Sequence, residues 1–382
     1  MGKDRILQVN IENTGGNGAF SLVQYLYKYL KDDYIFDYFS MGNFTNDTVI
    51  DEIVRTGGKC YSANLRENKL IGHIKLPFVF YKYLKLNNYN TVHIHSEVAY
   101  KHFLYALAAK IARVRQIIIH SHSSSIDGDN KGFKYLCHII LRTFVNRLGT
   151  DFLACSEPAA EWMFTKKTLN SSRYRILHNG IAPGVYKFSK EKRNEKRKEL
   201  GITKNVVLGH VGALKKVKNQ ERILDIIKDI NDSNYKLLLI GDGEDKEKLV
   251  KKTKEFGIES QVLFLGSRTD VADLLQAIDV IVFPSFFEGI PMALIEAQAT
   301  GIPVVASDTI NKAIKINSNI RFVSLEEDNR IWIEAIKEVQ NNQLKDIGNI
   351  NVSLSSYNIE SSAEELRKVY MNAEPKIKEN KF

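Results

Sequence analysis

The sequence predicts an α/β protein built as two Rossmann-like domains, each a parallel sheet with helices on both faces, and three observations carry that reading. Apolar runs of strand length alternate with helical stretches along the chain, the pattern of successive strand–helix–strand units. The length, 382 residues, suffices for two domains that each bury a core. Hydrophobic residues make up 44% and charged residues 26%, an ordinary globular balance, and no apolar run is long enough to cross a bilayer.

In the first half, strands are expected over 5–10, 34–40, 59–62, 91–95, 116–120 and 151–156. Helices are expected over 19–31, 48–56, 70–86, 98–112, 131–147 and 158–165. Residues 13–18, Asn-Thr-Gly-Gly-Asn-Gly, form a glycine-rich turn into the first helix. Such turns cradle phosphate in many nucleotide folds, although the full dinucleotide spacing is missing. A tight turn needing only glycine's backbone freedom accounts equally well for Asn17 and Gly18.

Ligands on parallel sheets bind at the carboxyl ends of strands, which draws attention to His93, His95, His120 and His122. Within each His-x-His pair the rings share one face of an extended segment, as zinc would accept. No acidic or cysteine cluster nearby completes a ligand set, so no metal is expected. Along 131–147, Phe133, Leu136, Cys137, Ile140 and Phe144 fall on one helical face, and Lys134, His138 and Arg142 on another that spans roughly 12 Å. With the aromatic and basic segment 76–85, this pattern fits two arrangements: a surface laid on anionic lipid, or a core-facing helix with a solvated basic side.

Charge and cysteine content narrow the class. Net charge is +9, which suits nucleic acid, an anionic membrane surface or polyanionic substrates, and no nucleic-acid-binding motif accompanies it. A membrane surface and a diphosphate are therefore the expected partners. Cys60, Cys137 and Cys155 form no Cys-x-x-Cys pair, and the first residues pass into a strand pattern without a signal-peptide core. The expected location is the cytoplasm, with association at the inner face of the plasma membrane.

In the second half, strands are expected over 206–211, 236–240, 261–265, 279–283, 303–306 and 322–325, with later helices over 291–300, 329–340 and 359–372. The charged run 187–200 reads as a solvated connector and helix. The chemistry is expected between 283 and 303. Pro291 suits the first position of a helix, Gly301 the position past its end. Glu288 precedes this helix and Glu296 lies within it among mostly apolar residues, where an unpaired buried carboxylate is very costly. The amides of Gly289, Ile290 and the first helical turn face the same loop, where the helix's positive end favours an anion. Carboxylates that accept from hydroxyls, beside amides that donate to phosphate, describe a nucleotide-sugar pocket. An ordinary strand–loop–helix unit with two surface glutamates shares the spacing.

The run Glu288-Gly-Ile-Pro-Met-Ala-Leu-Ile-Glu-Ala-Gln-Ala-Thr-Gly-Ile-Pro-Val-Val305 resembles the E-x7-E signature of the family 4 glycosyltransferases, retaining and metal-independent enzymes of the GT-B fold, and in particular their bacterial exopolysaccharide and capsule branch. The resemblance implies two domains facing across a cleft: 1–180 binding the acceptor, 181–355 binding the nucleotide-sugar, and a helix in 356–382 crossing back to the first. It implies that Glu288 contacts the donor sugar, Glu296 the ribose, and one of His120 and His122 the sugar near its C6 hydroxyl. His93 and His95 are expected to be structural. Lys218, Gly15, Gly16, Gly289, Ile290 and Pro291 would lie against the diphosphate side of the pocket, and Ser267 and Arg268 against the base. Of these, Glu288, His120, His122 and Lys218 are the candidate catalytic residues. The family's usual arginine, five residues before the lysine, is Ala213 here, with Lys215 and Lys216 nearby. A flexible ammonium does not reproduce a bidentate guanidinium at a leaving diphosphate.

The implied activity is transfer of a hexose or N-acetylhexosamine from a nucleotide-sugar, with UDP expected, to a lipid-linked or polysaccharide acceptor, without a cofactor. Two rival functions remain open at this point: a non-catalytic donor-binding partner of another transferase, for which Ala213 speaks, and a GT-B sugar-nucleotide epimerase, against which the full signature speaks.

Overall fold

The computed structural model describes residues 3–11, 18–66, 69–123 and 131–372. The chain divides into two compact units, Met1–Gly180 with the chain from Ile359 onward, and Ile181–Asn358.

The first unit contains β1 (Asp4–Val9), α1 (Gly18–Leu30), β2 (Tyr34–Ser40), α2 (Asp47–Arg55), β3 (Cys60–Ser62), α3 (Lys69–Asn87), β4 (Thr91–Ser96), α4 (Ala99–Ile111) and β5 (Gln116–Ser121). It continues through α5 (Lys131–Leu148), β6 (Asp151–Ala154), α6 (Glu157–Met163), α7 (Lys166–Leu169) and β7 (Tyr174–Ile176). Its seven parallel strands run in the order β3-β2-β1-β4-β5-β6-β7. Central strands β4 and β5 are buried at every position, as expected of strands covered on both faces.

The second unit holds α8 (Lys190–Glu199), β8 (Val206–Val211), α9 (Gln220–Ile230), β9 (Tyr235–Ile240), α10 (Lys246–Phe256), β10 (Val262–Gly266), α11 (Val271–Ala277) and β11 (Val280–Phe283). There follow α12 (Met292–Thr300), β12 (Val304–Ser307), β13 (Ile320–Val323), α13 (Asn329–Val339) and α14 (Lys345–Ser353). Six parallel strands run β10-β9-β8-β11-β12-β13. In each sheet the order reverses beside the first strand, between β1 and β4 and between β8 and β11, and such reversals open a crevice at the strands' carboxyl ends. The last helix, α15 (Ile359–Met371), packs on α1 in the first unit. There Tyr370 sets its ring edge against Tyr34 at 5.2 Å and Phe36 at 6.0 Å.

Three local expectations are corrected. The charged run 187–200 is not simply solvated, because α8 packs on α11 and its cations have partners there. Lys192 meets Asp273 at 2.7 Å, Lys196 meets Asp270 at 2.9 Å, and Arg193 and the buried Arg197 converge on Asp279. Asp279 also accepts from the Val207 amide at 2.8 Å, which ties the starts of β8 and β11 together. Pro291 is the cap residue of α12 rather than its first helical residue, with ψ of 96°. Finally, α5 is inverted relative to a core-facing apolar helix. His138 is buried, its ring stacked on Trp162 at 4.0 Å with Nδ1 accepting from the Ala99 amide, and Arg142 donates to the Phe164 carbonyl at 2.9 Å. Leu136, Ile140 and Phe144 face outward.

Candidate active site

In the second unit the signature loop leaves β11 and meets the loop that leaves β8, at the point where strand order reverses. Two hydrogen bonds hold the loops together: Phe286 N–H donates to Val217 O at 2.9 Å, and the side-chain Nδ2 of Asn219, a residue in the left-handed region, donates to Pro284 O at 3.1 Å. Ser307 and Thr309 fix the same loop from β12 and the turn after it by donating to Ser285 O at 2.6 and 2.9 Å. On this frame Lys218 Nζ lies 2.6 and 2.7 Å from the two Glu288 carboxylate oxygens, and 5.6 Å from the centroid of the Phe283 ring. Short charge-assisted bonds to both oxygens, with an aromatic face beneath the ammonium, give the pair one defined geometry.

Beneath it, His210 at the end of β8 stacks on Phe283 at 4.8 Å, donates from Nδ1 to Val282 O at 3.0 Å and accepts at Nε2 from Gln220 at 3.2 Å. Burial pushes His210 down to about 4, so it is neutral near neutral pH and serves as a floor rather than a charge. The turn after β9 approaches closely. A Cβ at Gly241, where φ is +136°, would sit 2.1 Å from Gly212 O, so only glycine lets this backbone close against the residues after β8.

α12 begins without a side-chain cap at Pro291, the Leu294 amide donates to Pro291 O at 2.9 Å, and the positive end of the helix favours an anion there. Glu296, in its second turn, is half-buried. Burial raises its carboxyl pKa, and a hydrogen bond from Tyr186 opposes that rise. Gly301 ends the helix at φ +78°. Gly289 is exposed with open space around it, Ile290 packs on the core and Pro291 is buried. Ser267 and Arg268 are exposed just after β10, and the Arg268 guanidinium is held by both oxygens of Asp270 at 2.7 Å. Ala213, Lys215 and Lys216 are exposed on the loop after β8. Gly15 and Gly16 lie outside the described residues.

In the first unit the four histidines form one hydrogen-bonded chain at the carboxyl ends of β4 and β5. His122 Nε2 lies 2.8 Å from His95 Nδ1, and His95 Nε2 lies 2.8 Å from Gln8 Oε1. Gln8 Nε2 donates to the Tyr370 hydroxyl at 3.1 Å, that hydroxyl lies 2.8 Å from His93 Nδ1, and His93 Nε2 lies 3.1 Å from His120 Nδ1. With the Gln8 carbonyl toward His95, every proton follows: His95 donates to Gln8 and accepts from His122, while Tyr370 donates to His93 and His93 to His120. All four rings are then neutral. Burial lowers each of them, with like-charge neighbours adding to the effect at His93, His95 and His120.

His93, His95 and His120 also place one nitrogen each within 4.8 Å of one another, a spacing a metal could use. The third ligand, which sequence spacing could not supply for the His93/His95 pair, thus comes from the neighbouring strand. Both nitrogens of His93 and of His95 are already engaged in the chain, so a metal would have to displace those bonds. His120 Nε2 is the one cluster nitrogen buried without a partner among the described residues. The open end of the chain is His122, which lines a polar recess with Asn10, Arg66, Glu97 and Lys101.

The chain matches the family description "Glycosyltransferase Family 4" over residues 18–184 and "Glycosyl transferases group 1" over residues 192–350. It belongs to the family 4 glycosyltransferases. EpsF of Bacillus subtilis, which is named as a glycosyltransferase, is 28% identical to it over 349 residues, covering 87% of this chain and 86% of EpsF. A UDP-Gal:α-D-GlcNAc-diphosphoundecaprenol α-1,3-galactosyltransferase of Escherichia coli is 26% identical over 317 residues, covering 80% of this chain and 81% of that one. Among solved structures, HepE of Anabaena in complex with UDP superposes with a TM-score of 0.76 at 18% identity, covering 97% of this chain and all of that one. This likeness identifies the fold as GT-B.

The structure of this glycosyltransferase brings Lys218 and Glu288 into contact and sets α12 beside them. It also joins His120 and His122 to one network. Three participants escaped the sequence reading. His210 had a signal, a histidine at a strand's carboxyl end, the rule that singled out the other four. Gln8 and Tyr370 had none, being ordinary polar residues until a contact across 362 positions unites them.

Proposed function

We propose that this glycosyltransferase moves a hexose or N-acetylhexosamine from a UDP-sugar to a lipid-linked or polysaccharide acceptor in cell-surface glycan synthesis, with retention of anomeric configuration and without a metal ion. The observation that supports it best is the Lys218–Glu288 pair near the start of α12, which has no side-chain cap, where a cation, a carboxylate and the positive end of a helix meet at the switch point of a parallel sheet. Lys218 and the α12 amides would hold the diphosphate, Glu288 the sugar hydroxyls and Glu296 the ribose. Ser267 and Arg268 would offer backbone to the base, and Gly15 and Gly16 would approach the diphosphate. His122 or His120 would meet the sugar, and the first unit would receive the acceptor.

In this reading the bond from the anomeric carbon to the diphosphate oxygen breaks. The acceptor oxygen bonds to the same face, and its proton passes to the departing phosphate oxygen. Lys218 would release Glu288 in part to meet the charge growing on that phosphate. The named activity of the E. coli relative, on a GlcNAc-diphosphoundecaprenol, and the UDP bound by HepE support the acceptor and donor classes.

Thermal unfolding against a panel of nucleotides and nucleotide-sugars tests the donor, with Glu296→Ala beside the parent. One UDP-sugar should raise the melting temperature of the parent and fail to do so in the variant. UDP release with an added acceptor then tests turnover. Ala213 in place of the family's arginine supports a second reading, a donor-binding partner without turnover. Binding without UDP release would select it, and no shift with any nucleotide would sink both.

A further inference from the structure

We propose that Gln8 is a positioning residue that sets the sense of the histidine chain. Its side-chain carbonyl makes His122 turn a bare nitrogen to the first-unit recess, and the recess therefore takes a group that donates a hydrogen bond in preference to one that only accepts. Gln8 is wholly buried in β1 between Leu7 and Val9, opposite His93 in the register of β1 and β4. An amide there is costly unless bonded, and both of its ends are bonded. The carbonyl lies 2.8 Å from His95 Nε2, and the amide nitrogen donates to the Tyr370 hydroxyl at 3.1 Å. Beyond His95 the chain ends at His122, whose Nε2 lies 2.8 Å from His95 Nδ1.

A neutral imidazole carries one ring proton, so each link fixes the next. A carbonyl facing His95 requires the proton on His95 Nε2 and bares its Nδ1. His122 must then hold its own proton on Nε2, which bares His122 Nδ1. Reversing the Gln8 amide would reverse every step and put an N–H on His122 Nδ1. Two observations favour the first sense. All four rings then take the Nε2–H form, the intrinsically preferred tautomer of histidine. His122 also shares its recess with the cations of Arg66 and Lys101 against the single carboxylate of Glu97, surroundings that suit a lone pair better than an N–H. His122 Nδ1 makes no hydrogen bond among the described residues, so the lone pair is open to a ligand. A hydroxyl can donate to it and accept from Lys101, whereas a fully ionised oxyanion such as sulfate has no proton to give. That the hydroxyl belongs to a sugar rests on the transferase reading; the proton order does not.

NMR of the ring nitrogens in the full chain, labelled at histidine, tests this, with His122→Gln assigning the His122 signals. At neutral pH the parent should show His122 Nδ1 at the shift of an unprotonated nitrogen and Nε2 at that of a protonated one. Gln8→Leu removes the carbonyl and strands the His95 N–H in the core, a cost that reversal of the His95–His122 pair relieves. In that variant, with its far-ultraviolet spectrum unchanged, His122 Nδ1 should gain the proton. Glucose, galactose or N-acetylglucosamine should move the parent's Nδ1 signal upfield, as accepting a hydrogen bond does, and sulfate should not. A proton on His122 Nδ1 in the parent overturns the proposal, and this readout needs no variant to fold. An unchanged His122 in folded Gln8→Leu overturns the role of Gln8, and a response to sulfate, or to none of the sugars, overturns the preference for a donor. UDP release is read separately: its absence with the parent tautomer intact strikes the transferase reading alone, and turnover with a protonated Nδ1 strikes the proton order alone.

Discussion

The Lys218–Glu288 pair invites a double-mutant cycle. Lys218→Met keeps much of the side chain's bulk on the Phe283 ring but strands Glu288, whose side chain is 9% exposed. Breaking a fully buried pair costs about 3–5 kcal/mol. Lys218 is 22% exposed, so water enters where the ammonium was, and about 2 kcal/mol is the expected loss for this variant. Glu288→Gln frees an ammonium that can turn toward solvent, for about 1 kcal/mol. The double variant should cost less than the sum, by a coupling of about 1–2 kcal/mol. The chain has two tryptophans, Trp162 in the first unit and Trp332, fully buried, in the second. In a Trp162→Phe background, urea unfolding followed by Trp332 fluorescence therefore reads the second unit alone and avoids treating two domains as one transition. Additive costs, within about 0.5 kcal/mol, would refute the contact as the organiser of this loop.

The same two reporters bear on acid stability. Burial holds His93, His95 and His120 well below the usual imidazole range, His102 at about 3 and His122 at about 4, whereas among the buried histidines the second unit holds His210, at about 4. A native imidazole that resists protonation leaves stability unchanged above the unfolded value near 6.5. As pH falls below it, the unfolded chain gains protons that the native chain refuses, at up to about 1.4 kcal/mol per histidine per pH unit. The Trp162 transition should thus weaken between about pH 6.5 and 4 ahead of the Trp332 transition, and the reverse order would contradict the neutral network. Tyr370→Phe should destabilise the first unit by about 1–3 kcal/mol at pH 7, read at Trp162, because Gln8 Nε2 and His93 Nδ1 lose their shared partner in the core; a loss under about 0.5 kcal/mol would mean the hydroxyl is dispensable.

The fold was largely legible because parallel strands buried on both faces read as apolar runs. β2 and β8 fall at the bounds expected, and the E-x7-E run marked the strand, loop and helix that meet Lys218. The three-residue β7 and helix α14 were not legible: the one is too short to show a period, the other follows no long apolar stripe. For α5 the periodicity separated two faces correctly but carries no sign, since nothing local tells which face a neighbouring helix will cover. For α8, charge density suggested solvent, while the partners Asp270, Asp273 and Asp279 lie some eighty residues away along the chain. Proton order in the histidine chain was out of reach for the same reason, as it depends on Tyr370 from the far end.

The position of α15 has a consequence for synthesis. The second unit is one unbroken stretch, Ile181–Asn358, whereas the first needs a helix that the ribosome makes after all of it. Domains usually fold in the order in which they emerge. Here Gln8 and His93, and the rings of Tyr34 and Phe36, emerge early and wait for Tyr370. Throughout translation of the second unit, Gln8, His93 and Gln116 on the central strands lack the helix that bonds to them. The later domain is thus the first that can finish folding, and the nascent first domain is the natural client for a chaperone.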